Sequence, residues 1–137
     1  MHGVIRKTSN NNQTRIQHLN AYQCREGQLK LHFGDLTESS HLTRIVSQVQ
    51  PTEIYNLGAQ TQIGASFENA EYTANANALG VLRLIEAVRY AGLEKTVRFC
   101  QASSCDIFGQ RTDSQPTLLT ETSPFNPSSP YGNTVSP

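Results

Sequence analysis

The stretch that decides the fold runs from residue 53 to residue 104, "EIYNLGAQTQIGASFENAEYTANANALGVLRLIEAVRYAGLEKTVRFCQASS". Its opening, "EIYNLGA", reads as a short strand broken at Gly58. From about Glu71 to Tyr90 the period becomes helical. Asn75, Arg83, Glu86 and Arg89 fall on one narrow side, and Leu79, Leu82, Leu84, Ile85 and Val88 occupy much of the rest. A helix this apolar is expected to bury two faces, one on its own sheet and one elsewhere. Gly92 is placed to cap its carboxyl end. "TVRFCQASS" then reads as a second strand.

Working outward, "SHLTRIVSQVQP" places Leu42, Ile45, Val46 and Val49 at helical spacing, and Pro51 ends the run. Before it, "LKLHFGDL" alternates, so Leu29, Leu31 and Phe33 are expected to face one way in a strand that ends at Gly34-Asp35. Residues 9–28 are polar and read as loop with a weak helix. Gly3-Val4-Ile5 looks like the tail of a strand whose beginning is missing, and after Gly109 the chain turns Pro-, Ser- and Thr-rich. Strands alternating with helices over short joins predict a parallel α/β sheet. Such sheets bind ligands at the carboxyl ends of their strands.

Bulk properties narrow the function. The 137 residues suit one domain (1–137). Eleven Lys and Arg balance eleven Asp and Glu, and no basic cluster suggests nucleic acid. No apolar run approaches a membrane span, and the amino terminus lacks the apolar core of a signal peptide. Cys24, Cys100 and Cys105 form no CxxC pair, and the four histidines are scattered, so no disulfide framework or metal site is expected. The expected compartment is the cytoplasm.

The strand ends carry chemistry, each with a plainer reading beside it. Asp35 can accept from a nucleotide base or cap the following helix. Gly58, within Leu57-Gly58-Ala59-Gln60-Thr61, can admit a ligand to the backbone or simply turn. Ser104 and Asp106 offer a hydroxyl and a carboxylate for proton transfer, or an ordinary Ser/Asp turn. Cys105 has no histidine in sequence context to activate it. Arg6, Lys7, Thr8 and Ser9 suit a phosphate, where arginine favours the 2′-phosphate of NADP over NAD, or form a solvated basic turn. Tyr131, in "SPYG", sits in the context of a catalytic tyrosine. Such a base needs a neighbouring lysine, because a phenol ordinarily loses its proton at about pH 10.

Taken in order, "HGVIRKTS", "LKLHFGDLT", "QPTEIYNLGAQT", "FENAEYTANANALGVLRLIEAVRYAGL", "RFCQASSCDIFG" and "TETSPFNPSSPYG" closely resemble the GDP-mannose 4,6-dehydratase family of extended short-chain dehydrogenases/reductases. The resemblance covers nearly the whole chain. It implies a partial Rossmann-like doubly wound parallel sheet lacking the first strand and the glycine-rich loop. It implies cofactor contacts to NADP from Arg6, Lys7, Thr8 and Ser9 at the 2′-phosphate and from Asp35 and Leu36 at the adenine. Leu57, Gly58, Ala59, Gln60 and Thr61 would line the cofactor, with Tyr72 nearby. The catalytic positions map onto Ser104, Asp106 and Tyr131. The implied reaction converts GDP-mannose to GDP-4-dehydro-6-deoxymannose on the route to GDP-fucose, with hydride lent to NADP and returned. The complete enzyme is expected to be a homo-oligomer.

The chain departs from this pattern. No G-x-x-G-x-x-G loop occurs, although that loop holds the pyrophosphate. Val135 stands four residues after Tyr131, where the family has lysine. Asp106 replaces glutamate and reaches less far by about 1.5 Å, and Ser104 replaces threonine. The expectation is a fragment truncated at both ends, keeping strands 2, 3, 4 and 5 of the order 3-2-1-4-5-6. Two strand pairs would then flank a gap of roughly 10 Å, and the isolated chain would be unstable or borrow a partner. Two functions follow: a dehydratase whose isolated chain is inactive, or a non-catalytic remnant that binds a full-length partner through the Glu71–Tyr90 helix. "RKTS" and "SSCDIFG" favour the dehydratase over a related epimerase.

Overall fold

Among the described residues, four short parallel strands form two separate pairs, and two helices bridge them. The computed structural model describes residues 1–8, 16, 29–109 and 118–135. The element order is β1 (His2–Ile5), β2 (Lys30–Phe33), α1 (Ser39–Val49), β3 (Glu53–Asn56), α2 (Ile63–Glu68), α3 (Ala70–Tyr90), β4 (Arg98–Gln101), a 3₁₀ turn (Cys105–Phe108) and α4 (Pro130–Val135). The loop expected over residues 9–28 lies outside the described residues, residue 16 apart.

Strand β1 pairs in parallel with β2, and β3 with β4. The sheet order is β1-β2 in one and β3-β4 in the other. This is the arrangement expected of a doubly wound sheet with no strand between β1 and β3. The two halves are held together by α1 and α3, which pack against each other. Leu42 and Val46 of α1 meet Leu84, Ala87 and Val88 of α3, with Ile54, Phe99, Leu93 and Leu36 against them. Burying one aliphatic side chain of this kind stabilises by about 1.5–3 kcal/mol.

Local chemistry ends α1 and α3 where the sequence places their stops. Gln50 closes α1 in the left-handed conformation, with φ 49°, and donates its N–H to the Val46 carbonyl. Past α3, Gly92 has φ 69° and donates to the Arg89 carbonyl, while Leu93 donates to Val88. This paired closure needs a residue with φ > 0, which glycine supplies without steric cost. Leu93 then packs into the core beside the helix end.

Phe33, expected on the same side of the strand as Leu29 and Leu31, is 54% exposed, since a two-stranded sheet covers little of either face. One packing expectation is corrected. Helix α3 buries one face, through Thr73, Ala76, Asn77, Gly80, Leu84, Ala87 and Val88. Its second apolar stripe, Leu79, Leu82 and Ile85, stays about half exposed, because α1 and the strands all lie on the other side. The short helix α2 was not expected from the sequence. Among the described residues, no helix is long and apolar enough to cross a membrane.

Candidate functional site

The chemically loaded segments gather at the carboxyl ends of the four strands, because every strand pair is parallel. Arg6, Lys7 and Thr8 follow β1 and are exposed. Ser9, the fourth residue of that segment, lies outside the described residues. Arg6 donates from Nη1 to the hydroxyl of Tyr72 in the first turn of α3, at 2.7 Å. These two residues are therefore brought together, the end of β1 against the start of α3.

Asp35 and Leu36 follow β2 and are half-buried. The Asp35 Oδ1 accepts from both the backbone N–H and the hydroxyl of Thr37, each at 2.9 Å. It thus orders the turn before α1, although the N-cap position of the helix itself is Glu38. Leu36 is wedged between two elements. A Cβ at Gly58 would meet its Cδ1 at 3.0 Å, and a Cβ at Gly80 would meet its Cβ at 2.8 Å. Its carbonyl accepts from Arg83 Nη1 at 3.1 Å, and the same guanidinium holds Asn75. A Cβ at Gly58 would thus press on the end of the Leu36 side chain, which would have to shift slightly.

The segment after β3 is mostly open. Leu57, Gly58, Ala59 and Thr61 are exposed, and Gln60 is half-buried. Its backbone is fixed by Asn77, a residue of α3 only 3% exposed. The Gln60 N–H donates to Asn77 Oδ1 at 2.8 Å, and Asn77 Nδ2 donates to the Gln60 carbonyl at 3.1 Å. Asn77 Nδ2 also donates to the Thr134 hydroxyl at 3.2 Å. One buried amide therefore ties the post-β3 loop to α4, the helix that carries Tyr131.

After β4, the Ser104 Oγ accepts from the Asp106 backbone N–H at 3.2 Å and faces Asp106 Oδ2 at 3.4 Å. The hydroxyl caps the 3₁₀ turn. That turn packs on α4, where Ile107 meets Tyr131 and Val135. Tyr131 is 8% exposed. No hydrogen bond joins its hydroxyl to Ser104 or Asp106, so the three positions share a neighbourhood without a direct bond. Val135 is itself buried beside Tyr131.

Four residues that hold α4 escaped the sequence reading. Ser129 Oγ accepts from the Gly132 N–H at 2.9 Å. Ser66, fully buried in α2, accepts from the Tyr131 N–H at 3.2 Å and donates to the Ile63 carbonyl at 2.6 Å. Ser103 donates to the Val135 carbonyl at 2.9 Å, and Asn77 holds Thr134. Ser129 before Pro130 is a legible helix-start signal. Asn77 had a weaker one, a polar residue at core spacing between Thr73 and Gly80. Cys100 and Cys105 are exposed free thiols, and among the described residues no group of three or more metal-ligating side chains converges.

Comparison with known proteins agrees with this geometry. Residues 1–134 match the family model described as GDP-mannose 4,6 dehydratase. The chain is 48% identical over 134 residues to the human GDP-mannose 4,6 dehydratase, covering 96% of this chain and 35% of that protein. Identity to the Drosophila melanogaster GDP-mannose 4,6 dehydratase is 47% over 133 residues, covering 96% of this chain and 33% of that protein. The chain thus spans about a third of the length of the curated relatives it matches. In structure it resembles a UDP-Glc/GlcNAc 4-epimerase from Campylobacter jejuni, with TM-score 0.78 and 21% identity, over 96% of this chain and 37% of that one. It also resembles the dTDP-glucose 4,6-dehydratase DesIV from Streptomyces venezuelae, with NAD bound, at TM-score 0.75 and 20% identity, over 96% of this chain and 38% of that one. These likenesses show the fold.

Proposed function

The chain belongs to the GDP-mannose 4,6 dehydratase family, and from that premise we propose that it carries the nucleotide-side wall of such an enzyme. The observation behind this reading is the family match over residues 1–134. The whole-enzyme activity proposed is conversion of GDP-mannose to GDP-4-dehydro-6-deoxymannose, with NADP as the nicotinamide cofactor. The cytosol is the compartment proposed.

The donor set suits the adenosine end of NADP. Arg6 and Lys7 supply two exposed cations and Thr8 a hydroxyl for the 2′-phosphate. Asp35 and Leu36 would flank the adenine, and Leu57 to Thr61 with Tyr72 would line the groove. No glycine-rich loop occurs in the sequence, so no residue here is assigned to the diphosphate. When bound, the cofactor accepts a hydride from the sugar and returns it. Tyr131 is the residue proposed to take the proton of the sugar 4-hydroxyl. Ser104 would hydrogen-bond that hydroxyl, and Asp106 would remove the proton at C5. Val135 supplies no ammonium to help Tyr131. The isolated 137-residue polypeptide is therefore expected to be inactive.

Calorimetric titration of the purified chain with NADP⁺ tests this account. No saturation is expected at micromolar cofactor, and tight saturable binding would overturn the role given to the diphosphate loop. An in-frame glycine-rich loop upstream of Met1 in the genomic sequence would assign the activity to a longer product. That product should then bind NADP⁺ saturably at micromolar cofactor, and failure to do so would count against the cofactor role given to this wall.

A second reading rests on the exposed stripe of α3. Leu79, Leu82 and Ile85 offer an apolar face to another subunit, either a second copy in a homo-oligomer or a full-length relative. Retention of purified full-length enzyme by the immobilised chain, and its loss in Leu82→Glu, would support this; no retention would count against it.

A further inference from the structure

His2 and His32 are thirty positions apart in the chain, and the β1–β2 pair brings them together. His2 Nδ1 and His32 Nε2 lie 2.9 Å apart. The ring planes differ by 19° and their centroids are 5.2 Å apart. Rings stacked face to face are separated by roughly 3.5 Å, which is wider than the gap between these nitrogens. The rings therefore meet edge to edge, with the N–H of one donating to the lone pair of the other.

From this geometry we infer that the imidazole pair is an acid-released latch between β1 and β2. An N–H···N bond needs one neutral ring. Protonating both rings removes the acceptor and sets two cations at hydrogen-bond distance. The strands the latch joins pair only with each other among the described residues, and a two-stranded sheet is marginal by itself. One cross-strand side-chain bond therefore weighs more here than in a wide sheet. β1 ends next to Arg6 and Lys7, so release of its edge would free the segment that presents those cations.

The surroundings favour release over retention in acid. Burial comes first among the influences that hold the His32 pKa below its ordinary value, followed by His2, Lys30 on β2 and Arg44 on α1. A base whose folded pKa lies below its unfolded one contributes stability that is complete above the unfolded value, about 6.5. That contribution is lost as pH falls from there through the folded value. The same two cations, Lys30 and Arg44, make the pair a poor seat for a metal ion.

Amide hydrogen exchange on the full chain tests the latch at pH 7.5 and pH 5.5. Rates are expressed as protection factors, so that the intrinsic pH dependence of exchange cancels. The amides of Lys30 and Gly34, which donate to Met1 and Ile5, are expected to lose about tenfold in protection on acidification. Those of α3 should hold. His32→Gln takes up no proton, so the response should disappear in that variant. Equal changes in β1–β2 and α3, or an undiminished response in H32Q, would overturn the latch. If H32Q does not fold, the imidazole C–H resonances of the unaltered chain decide. Coupled titration of His2 and His32 supports the latch, and two independent single steps sink it.

Discussion

The Arg6 guanidinium donates to the Tyr72 hydroxyl at 2.7 Å across 66 positions of sequence. The bond fastens the end of β1 to the first turn of α3. Both partners are exposed, and an exposed hydrogen bond of this kind contributes little net stability. Tyr72→Phe is therefore expected to lower stability by less than about 1 kcal/mol in urea denaturation. A larger loss would mean that the contact holds more of the fold than its exposure suggests.

Asn77 is the costly position. Its amide satisfies the N–H and the carbonyl of Gln60 and reaches Thr134. Replacing it with leucine leaves the half-buried N–H and carbonyl of Gln60 unpaired, at up to about 1–3 kcal/mol each. Asn77→Leu is expected to destabilise by about 3 kcal/mol or more. Thr134→Val removes a single arm and should cost about 1 kcal/mol. Equal effects of the two variants in chemical denaturation would show that Asn77 does not act as a hub.

Two helical glycines should respond with opposite signs to the same change. Gly80→Ala places a methyl 2.8 Å from Leu36 Cβ, a position too near the backbone to swing away. It should destabilise despite the better helix propensity of alanine. Gly64→Ala meets nothing within 4 Å and should stabilise by about 0.5 kcal/mol. Thermal melts of the two variants check the signs. Stabilisation by Gly80→Ala would mean that Leu36 is not seated against α3.

Acid should loosen the last turn of α3 through Glu86. The hydrogen bond from Arg89, at 2.7 Å, holds the Glu86 carboxyl below the usual glutamate value, opposed by slight desolvation. A depressed folded pKa gives stability that is present above the unfolded value and lost as pH falls through the folded one. The pair is solvent-exposed, so the effect is small. Glu86→Gln should flatten the fall in urea midpoint between pH 6 and pH 3. An unchanged slope would remove Glu86 from the acid response.

Much of the scaffold was legible in the residues. Leu42, Ile45 and Val46 fall on the buried side of α1 at the spacing the sequence shows. Gly92 and Pro51 mark helix ends that the backbone adopts there. Even the split sheet follows from the sequence, because strands 2 with 3 and 4 with 5 are neighbours on either side of strand 1 in a doubly wound order. Alternation put Phe33 on one side of β2 with Leu29 and Leu31 and said nothing about whether that side is covered; Phe33 is 54% exposed.

The site was legible only in its parts. Arg6, Ser104, Asp106 and Tyr131 could each be singled out by residue type and context, and Tyr72 only through the family resemblance. Ser66 under the Tyr131 amide, Asn77 between two loops, and His2 against His32 could not, since each joins positions from 17 to 65 residues apart. The sequence determined α1, α3, the strands and the chemical character of the strand ends, because hydrogen-bond periodicity and capping act between residues a few places apart; the short helices α2 and α4 were not expected from it. Tertiary structure alone decided which buried polar group meets which. A serine or asparagine has the same local appearance whether it faces water or another element, and only the packing of α2, α3 and α4 selects its partner.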